Sequence, residues 1–372
     1  MQSGWLRQYF KPHQDGECPC RQPRPAGAEA GGDAGEEGVS RRDFVRTGMV
    51  AGVAAGMAAG TVVAQRGTAE AQTTNPMGRD WWPSEWGPND ERGANNRMTP
   101  AKVREAVALI KTGRVYPLSQ VLEASIPLFG ARHVSITIPG GPTGGPFGTH
   151  VLYFNDEMFS GEIGQVGSQF DGLGHICNKV GTTIRYYNGF TQEQVGGAYG
   201  LQKLGVHTLR PFFTRGIMLD IAGFKGVDRL PITYIVTMDD VTQTLQRQGT
   251  REPGEGDVVL FHTGHSKLWK KDNAEYNKGC PGPGKTVANW LVSKKIAVVG
   301  GDTWPVEAVP GEDANRPFEC HTIWLTMNGI FINENLNLDE LVRDKVYEFA
   351  WSFNPLMLKG ATASPGNSVA LA

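Results

Sequence analysis

The sequence is poor in cysteine, with five in 372 residues, and a chain of this length cannot be a disulfide-stapled scaffold on so few. It also lacks an excess of either charge: 36 Lys and Arg stand against 38 Asp and Glu, a formal charge of −2. That balance gives no electrostatic footprint for nucleic acid or for an anionic membrane surface. Uninterrupted apolar runs of roughly 18 residues or more are missing, apart from a weak, glycine-broken stretch near the N-terminus. Apolar residues make up 40% and charged residues 20%, which rules out collagen-like and wholly disordered chains. Turn-formers are abundant, with 49 Gly and 23 Pro, so many loops are expected.

The N-terminal segment reads as an address. Ser40, Arg41, Arg42, Asp43 and Phe44 form a twin-arginine pattern, and a small-residue, weakly apolar run over 47–64 follows. Ala69, Glu70 and Ala71 then form a small-x-small cleavage signal before Gln72. The rival reading is a short transmembrane anchor, but the recurring Gly makes the run too polar for one. Residues 1–71 are therefore expected to be a Tat export signal with a long leader rich in Gly, Pro, Glu and Ala. Residues 72–372 are expected to be the mature domain, delivered by the Tat machinery to the periplasm or beyond, with no stable membrane insertion after the signal is removed. Cys18 and Cys20 leave with the leader; Cys177, Cys280 and Cys320 stay.

In the mature chain, Thr99 and Pro100 open a helix as N-cap and first-turn Pro. Val103, Ala106, Val107 and Ile110 are spaced for one buried face, and Gly113 ends it. Strand-length apolar runs follow at 134–138, 151–154, 216–221, 257–262, 296–300, 330–333 and 346–351. Helical stretches are expected near 238–248, 286–294 and 338–342. Strands mixed with helices without strict alternation predict an α/β or α+β fold with a mixed sheet. No repeat or long linker interrupts 80–372, so one domain is expected. The Gly/Pro-rich stretch 139–148 lacks a phosphate-loop signature and reads as a turn or pocket-rim loop.

Chemistry-bearing side chains concentrate in 165–175. If this segment is extended, Gln165, Gly167, Gln169, Asp171, Leu173 and His175 share a face. Four convergent polar groups there suit a metal or an acid–base site; a hydrogen-bonded polar strand edge is the bland alternative. Glu334 ends an apolar strand, where an unpaired carboxylate would be costly. His321, taken alone, reads as structural as readily as a ligand. Asp302 follows a strand and could line a site or cap the following turn. His262 and His265 flank Thr263 and Gly264 just after a strand and are second-tier pocket candidates.

These residues carry a resemblance. The segments 86–96 (WGPNDERGANN), 215–220 (RGIMLD), 257–264 (DVVLFHTG), 299–302 (VGGD) and 332–336 (INENL) resemble, in order, the cyclase family of metal-dependent hydrolases, which includes the kynurenine formamidase-like and isatin hydrolase-like enzymes. The family motif His-x-Gly-Thr-His-x-Asp-x-Pro-x-His aligns with 165–175 without gaps. Gly167, Asp171 and His175 match it; Gln165 and Gln169 replace both histidines, Ser168 the Thr and Leu173 the Pro.

The resemblance implies a swivelling β/β/α fold and a homo-oligomer. In the family the two motif histidines and the Asp hold one metal, and in two-metal members the Asp bridges to a second metal held by a later His and Glu. Asp171, His321 and Glu334 match those second-metal positions, and His175 the general acid/base. The first metal position has thus lost its imidazoles and the second is intact. One divalent ion per subunit is expected, manganese or zinc, because Gln offers only a neutral carbonyl oxygen.

The expected function is hydrolysis of a small amide, lactam, lactone or ester by metal-activated water, with His175 and Glu334 as catalytic residues. Gln165, Gln169, His262 and Asp302 are expected to position substrate or water. Two alternatives stand beside this reading. One is a metal-independent lyase or hydrolase using His175 and Glu334 as acid and base; the other is a non-catalytic small-molecule binding protein. Cys177 and Cys320 flank His175 and His321 closely enough in sequence for a disulfide, with free buried thiols the preferred expectation.

Overall fold

The structure, a computed structural model, describes Asn75 and residues 77–372; the export signal read at 1–71 lies outside the described residues. Nine strands form one curled, mixed sheet: β1 (Val115–Pro117), β2 (Gln169–Asp171), β3 (Phe212–Asp220), β4 (Val258–His262), β5 (Val298–Gly301), β6 (Phe331–Glu334), β7 (Glu348–Phe353), β8 (Ala363–Pro365) and β9 (Val369–Leu371). Their order across the sheet is β1-β9-β7-β3-β4-β5-β6-β2-β8. Strands β3 to β6 run parallel, and every other pairing within this sheet is antiparallel. The parallel block explains the unbroken apolar runs, because β4, β5 and β6 are buried along their whole length and cannot alternate with polar residues. The single-domain α/β expectation with a mixed sheet is what the structure has.

The aromatic core locks β2 to the sheet. Phe170 stacks on Phe331 and Phe353, with ring centroids 5.2 and 4.6 Å apart. A buried aromatic cluster of this kind contributes both area and geometry, and here it fixes the strand that carries Gln169 and Asp171.

Helix Met238–Gln248 follows its expected bounds, with Thr237 and Asp240 forming a capping box and Gly249 closing it in the left-handed region. Helix Lys285–Ser293 and helix Asp339–Asp344 lie where the second and third helical stretches were expected. The first helix corrects the reading: it spans only Pro100–Val107, and Val107 is 52% exposed. Its buried side chains are Ala106 and Lys102. Lys102 goes inward because its ammonium pairs with the fully buried Asp257 and with Glu105 at 2.9 Å.

The stretch 139–148 is also corrected. Gly144–Phe147 is a strand paired with Leu152–Phe154, inside the pairing of Val134–Thr137 with Met158–Gly161, so part of the expected loop belongs to nested hairpins, while the strands expected at 134–138 and 151–154 are present. No helix of the described residues is long and apolar enough to cross a membrane.

Candidate active site

The antiparallel register of β6 and β2 sets Glu334 opposite Gln169 and Ile332 opposite Asp171. Gln169 and Asp171 share a face of β2 through its period of two. The expected single extended face over 165–175 is not what forms: only Gln169–Asp171 is strand. Gly167 takes a φ of 68°, and Leu173 turns into the core at 1% exposure. The four polar side chains still converge. Turns closed by Gln165 N–H donating to Glu162 O (2.7 Å) and His175 N–H to Gly172 O (3.0 Å) fold both ends of the segment back. Gln165, Gln169, Asp171 and His175 line one cavity of about 230 Å³ together with His321 and Glu334.

His321 arrives from another direction. It ends the short helix Glu319–His321 and is followed by the π-helix Thr322–Met327, a rare form that concentrates at functional sites. Glu307 orients it. The Glu307 carboxylate accepts the backbone N–H of Cys320 (3.1 Å) and of His321 (2.8 Å) and bonds His321 Nδ1 at 2.5 Å. That leaves Nε2 facing Glu334 Oε1 at 3.2 Å. A carboxylate behind the imidazole fixes ring orientation and raises basicity.

Directional hydrogen bonds tie these groups together. Gln169 Nε2 donates to Glu334 Oε2 at 2.7 Å, and Gln165 Nε2 to Asp171 Oδ1 at 3.0 Å. His175 Nε2 lies 3.8 Å from Asp171 Oδ2. Burial pushes Glu334 up to about 8, with the neighbouring Asp171 charge adding to it. For His321 burial works against the charged form, but Glu307 and Glu334 outweigh it and hold the imidazole at about 10. Burial keeps His175 below the ordinary imidazole value despite Asp171, so it is neutral and able to accept a proton near pH 7.

Behind this layer, Asn335 and Ser168 pin the motif. Asn335 Nδ2 donates to Gly167 O (2.8 Å), Ser168 Oγ to Asn335 O (2.6 Å), and Tyr276 O–H to Asn335 Oδ1 (2.7 Å).

The donor set can be tested against a metal. Asp171, His321 and Glu334 each offer a ligand atom within 4.8 Å of the others. Asp171 Oδ2 is buried with no hydrogen-bond partner, a state that costs free energy unless a cation or donor meets it. Two carboxylates and one imidazole around an open cavity fit one divalent ion.

Three other candidate residues sit elsewhere. His262, His265 and Asp302 are not among the residues lining this cavity. His262 Nδ1 bonds Asp220 Oδ1 at 2.7 Å, and His265 Nε2 lies 3.1 Å from Tyr276 O. Asp302 accepts from Thr263 N–H (3.0 Å), Thr263 Oγ1 (2.7 Å) and Gly264 N–H (2.8 Å). It ties the turn after β4 to the end of β5, whereas the alternative expected for it was to cap the turn that follows it. Cys177, Cys280 and Cys320 are free, and Cys177 is exposed rather than buried.

Sequence reasoning missed Glu307, Arg132 and the aromatic wall of Phe129, Trp304 and Phe318, all at or behind this cavity. Glu307 did carry a signal: it is an acid between Val306 and Ala308, the same isolation in an apolar stretch that singled out Glu334. Nothing local distinguishes Arg132.

Comparison with known proteins follows the same lines. No curated protein matches the chain. A crystal structure described as a novel cyclase superposes with a TM-score of 0.68 at 28% identity, over 77% of this chain and 96% of its own. Isatin hydrolase A from Ralstonia solanacearum shares the fold with a TM-score of 0.52 at 22% identity, over 69% and 91%. An isatin hydrolase bound to the product analogue thioisatinate does so at 0.51 and 21%, over 73% and 95%. Residues 116–308, more than half of the sequence, match the Cyclase family, and the chain belongs to that family.

Proposed function

We propose that this protein is a hydrolase of a small amide, lactam, lactone or ester that uses one divalent metal ion. The observation that carries the reading is the convergence of Asp171, His321 and Glu334 within 4.8 Å in a cavity also lined by His175. A bound divalent ion there would supply Lewis-acid charge and lower the pKa of water. The protein's part is to hold the donors and to move protons. Glu307 and the strand pairing fix His321 and Glu334 before substrate arrives. His175, neutral near pH 7, takes a proton from the attacking water and returns it to the leaving group. The Gln165 and Gln169 amides orient the two carboxylates.

The test is metal content and turnover together. Purified protein is expected to hold one manganese or zinc per chain and to lose activity on chelation. Glu334→Gln should remove both the metal and at least a hundredfold of the rate. Full activity with no bound metal and no response to strong chelators would overturn the reading.

One observation favours a metal-free acid–base enzyme instead. Gln165 and Gln169 already donate to Asp171 and Glu334, so each carboxylate has a donor without an ion, and the raised Glu334 could serve as acid opposite His175. Chelator-insensitive activity that falls with His175→Gln would support it.

Export by the Tat route and assembly as a homo-oligomer belong to the same reading. The oligomer is supported by the two hairpins at 134–161. Ile136, Val151, Leu152, Tyr153, Phe154 and Met158 are each at least 40% exposed there, and small two-stranded hairpins are marginal on their own.

A further inference from the structure

The cavity holds one cation that the chemistry above does not use. Arg132 lines it, spends one N–H on Gln165 O at 3.2 Å and sits 5.6 Å from the Phe129 ring centroid. The guanidinium has five N–H donors in a rigid fork; its charge reaches Glu162 and Glu334, but it forms no direct ion pair with a carboxylate among the described residues. Phe129 stacks on Trp304 at 4.5 Å with an interplanar angle of 18°. Trp304 meets Phe318 edge-on at 6.1 Å, and Phe318 meets His321 at 5.7 Å. An aromatic wall therefore runs from the cation to the imidazole of the reacting centre. Trp304 adds a buried indole N–H without a partner.

We propose that Arg132 is a specificity-determining residue that binds a carboxylate carried by a planar, aromatic substrate, at the end of the ring remote from the bond that is cut. The assignment rests on the hydrolase reading for what happens to that substrate, but not for its recognition. The physical case is complementarity. A flat ring fits a stacked wall. A partly desolvated guanidinium with spare donors is matched by a carboxylate, which it can grip with two parallel hydrogen bonds. A neutral aromatic ligand would fill the same space and leave the charge unpaired. The net charge of the whole chain is small, so selectivity for an anion must come from a local cation such as this one rather than from long-range attraction.

The experiment separates recognition from turnover. Binding of benzoate and of benzamide to the full chain is followed through tryptophan fluorescence, for wild type, Arg132→Gln and Arg132→Lys. Hydrolysis of 3-carboxyformanilide and of formanilide is measured in parallel. Benzoate should bind about tenfold or more tightly than benzamide, the range of a charge-assisted pair. Arg132→Gln should bring that ratio near one, and Arg132→Lys should restore part of it. The same ratio should appear in kcat/KM, carried by KM. A binding ratio near one in wild type, or one unchanged in Arg132→Gln, overturns the assignment. That second result would leave Arg132 only its structural bond to Gln165. If the binding ratio behaves as expected but neither anilide is cut, Arg132 keeps its role and the hydrolase reading loses its support.

Discussion

A carboxylate buried beside another carboxylate persists only if something neutralises it or donates to it. At this site three side chains do so: His321 and Gln169 for Glu334, and Gln165 for Asp171, whose Oδ2 stays without a hydrogen-bond partner. The two glutamines are the residues to vary. Gln165→Ala should keep the metal, because it removes a neutral donor and no ligand, and should change turnover or substrate binding by about tenfold. Gln165→His with Gln169→His returns two imidazoles beside Asp171 and should raise metal content from one toward two per chain. Both outcomes are read by metal analysis of the purified variants.

Asp220 and His262 form a second buried pair, and its effect is on stability. Burial opposes the His262 charge, but the Asp220 hydrogen bond and the charges of Asp302, Asp220 and Asp339 hold its pKa above the ordinary value. Burial likewise pushes Asp220 up, yet His262 and the Gly223 N–H bring it below its ordinary value. A raised His stabilises fully below about pH 6.5, and a lowered Asp stabilises fully above about pH 4. The stability lost in Asp220→Asn, about 2 kcal/mol, should therefore be greatest between those limits. It should shrink as pH rises through the His262 pKa and as it falls through that of Asp220. Denaturant titration across pH 3 to 9 measures this, and a pH-independent difference would show the pair to be uncharged.

At the scale of elements, the first helix is anchored by charge rather than by its apolar residues. Asp257 is fully buried between the Lys102 ammonium and Arg215 Nη1, the latter at 2.6 Å. Arg215 also reaches Glu348 at 2.5 Å, so one network joins the helix to β3, the start of β4 and β7. Asp257→Ala leaves two buried cations facing one another and should destabilise by about 3–5 kcal/mol. Val107→Ala, at the exposed position, should cost less than about 0.5 kcal/mol. Urea denaturation of the two variants ranks the contributions, and a larger loss at Val107 would restore the apolar-face account.

At the scale of the molecule, two expectations concern where the chain goes and what it meets. Changing Arg41 and Arg42 to Lys should strand uncleaved precursor in the cytoplasm, as seen by fractionation. Unchanged delivery of mature protein would reject the Tat reading. For assembly, Ile136→Glu with Tyr153→Glu should shift the purified protein toward monomer by light scattering while leaving its circular dichroism unchanged. A monomeric wild type would reject the homo-oligomer.

Much of the fold was legible because the parallel strands are buried on both faces, so each prints an apolar run whose position survives any tertiary context. Turn chemistry was legible for the same local reason, as at Thr99 and Pro100, which cap and open their helix. The motif at 165–175 and the acids at 302 and 334 could be picked out as polar groups where apolar ones were expected. Local pattern could not tell which of them share a cavity. The β6–β2 register joins Glu334 to Gln169, and the short helix that ends at His321, 13 residues before Glu334, brings its imidazole to that carboxylate. Asp302 and His262, equally suggestive in sequence, do other work: Asp302 holds the turn after β4, and His262 pairs with Asp220 at the end of β3. Glu307 behind His321, Arg132 at the cavity wall and the burial of Lys102 were likewise set only by folding. A side chain's partner across the sheet is determined by register and long-range packing, whereas the elements themselves are determined by the residues within them.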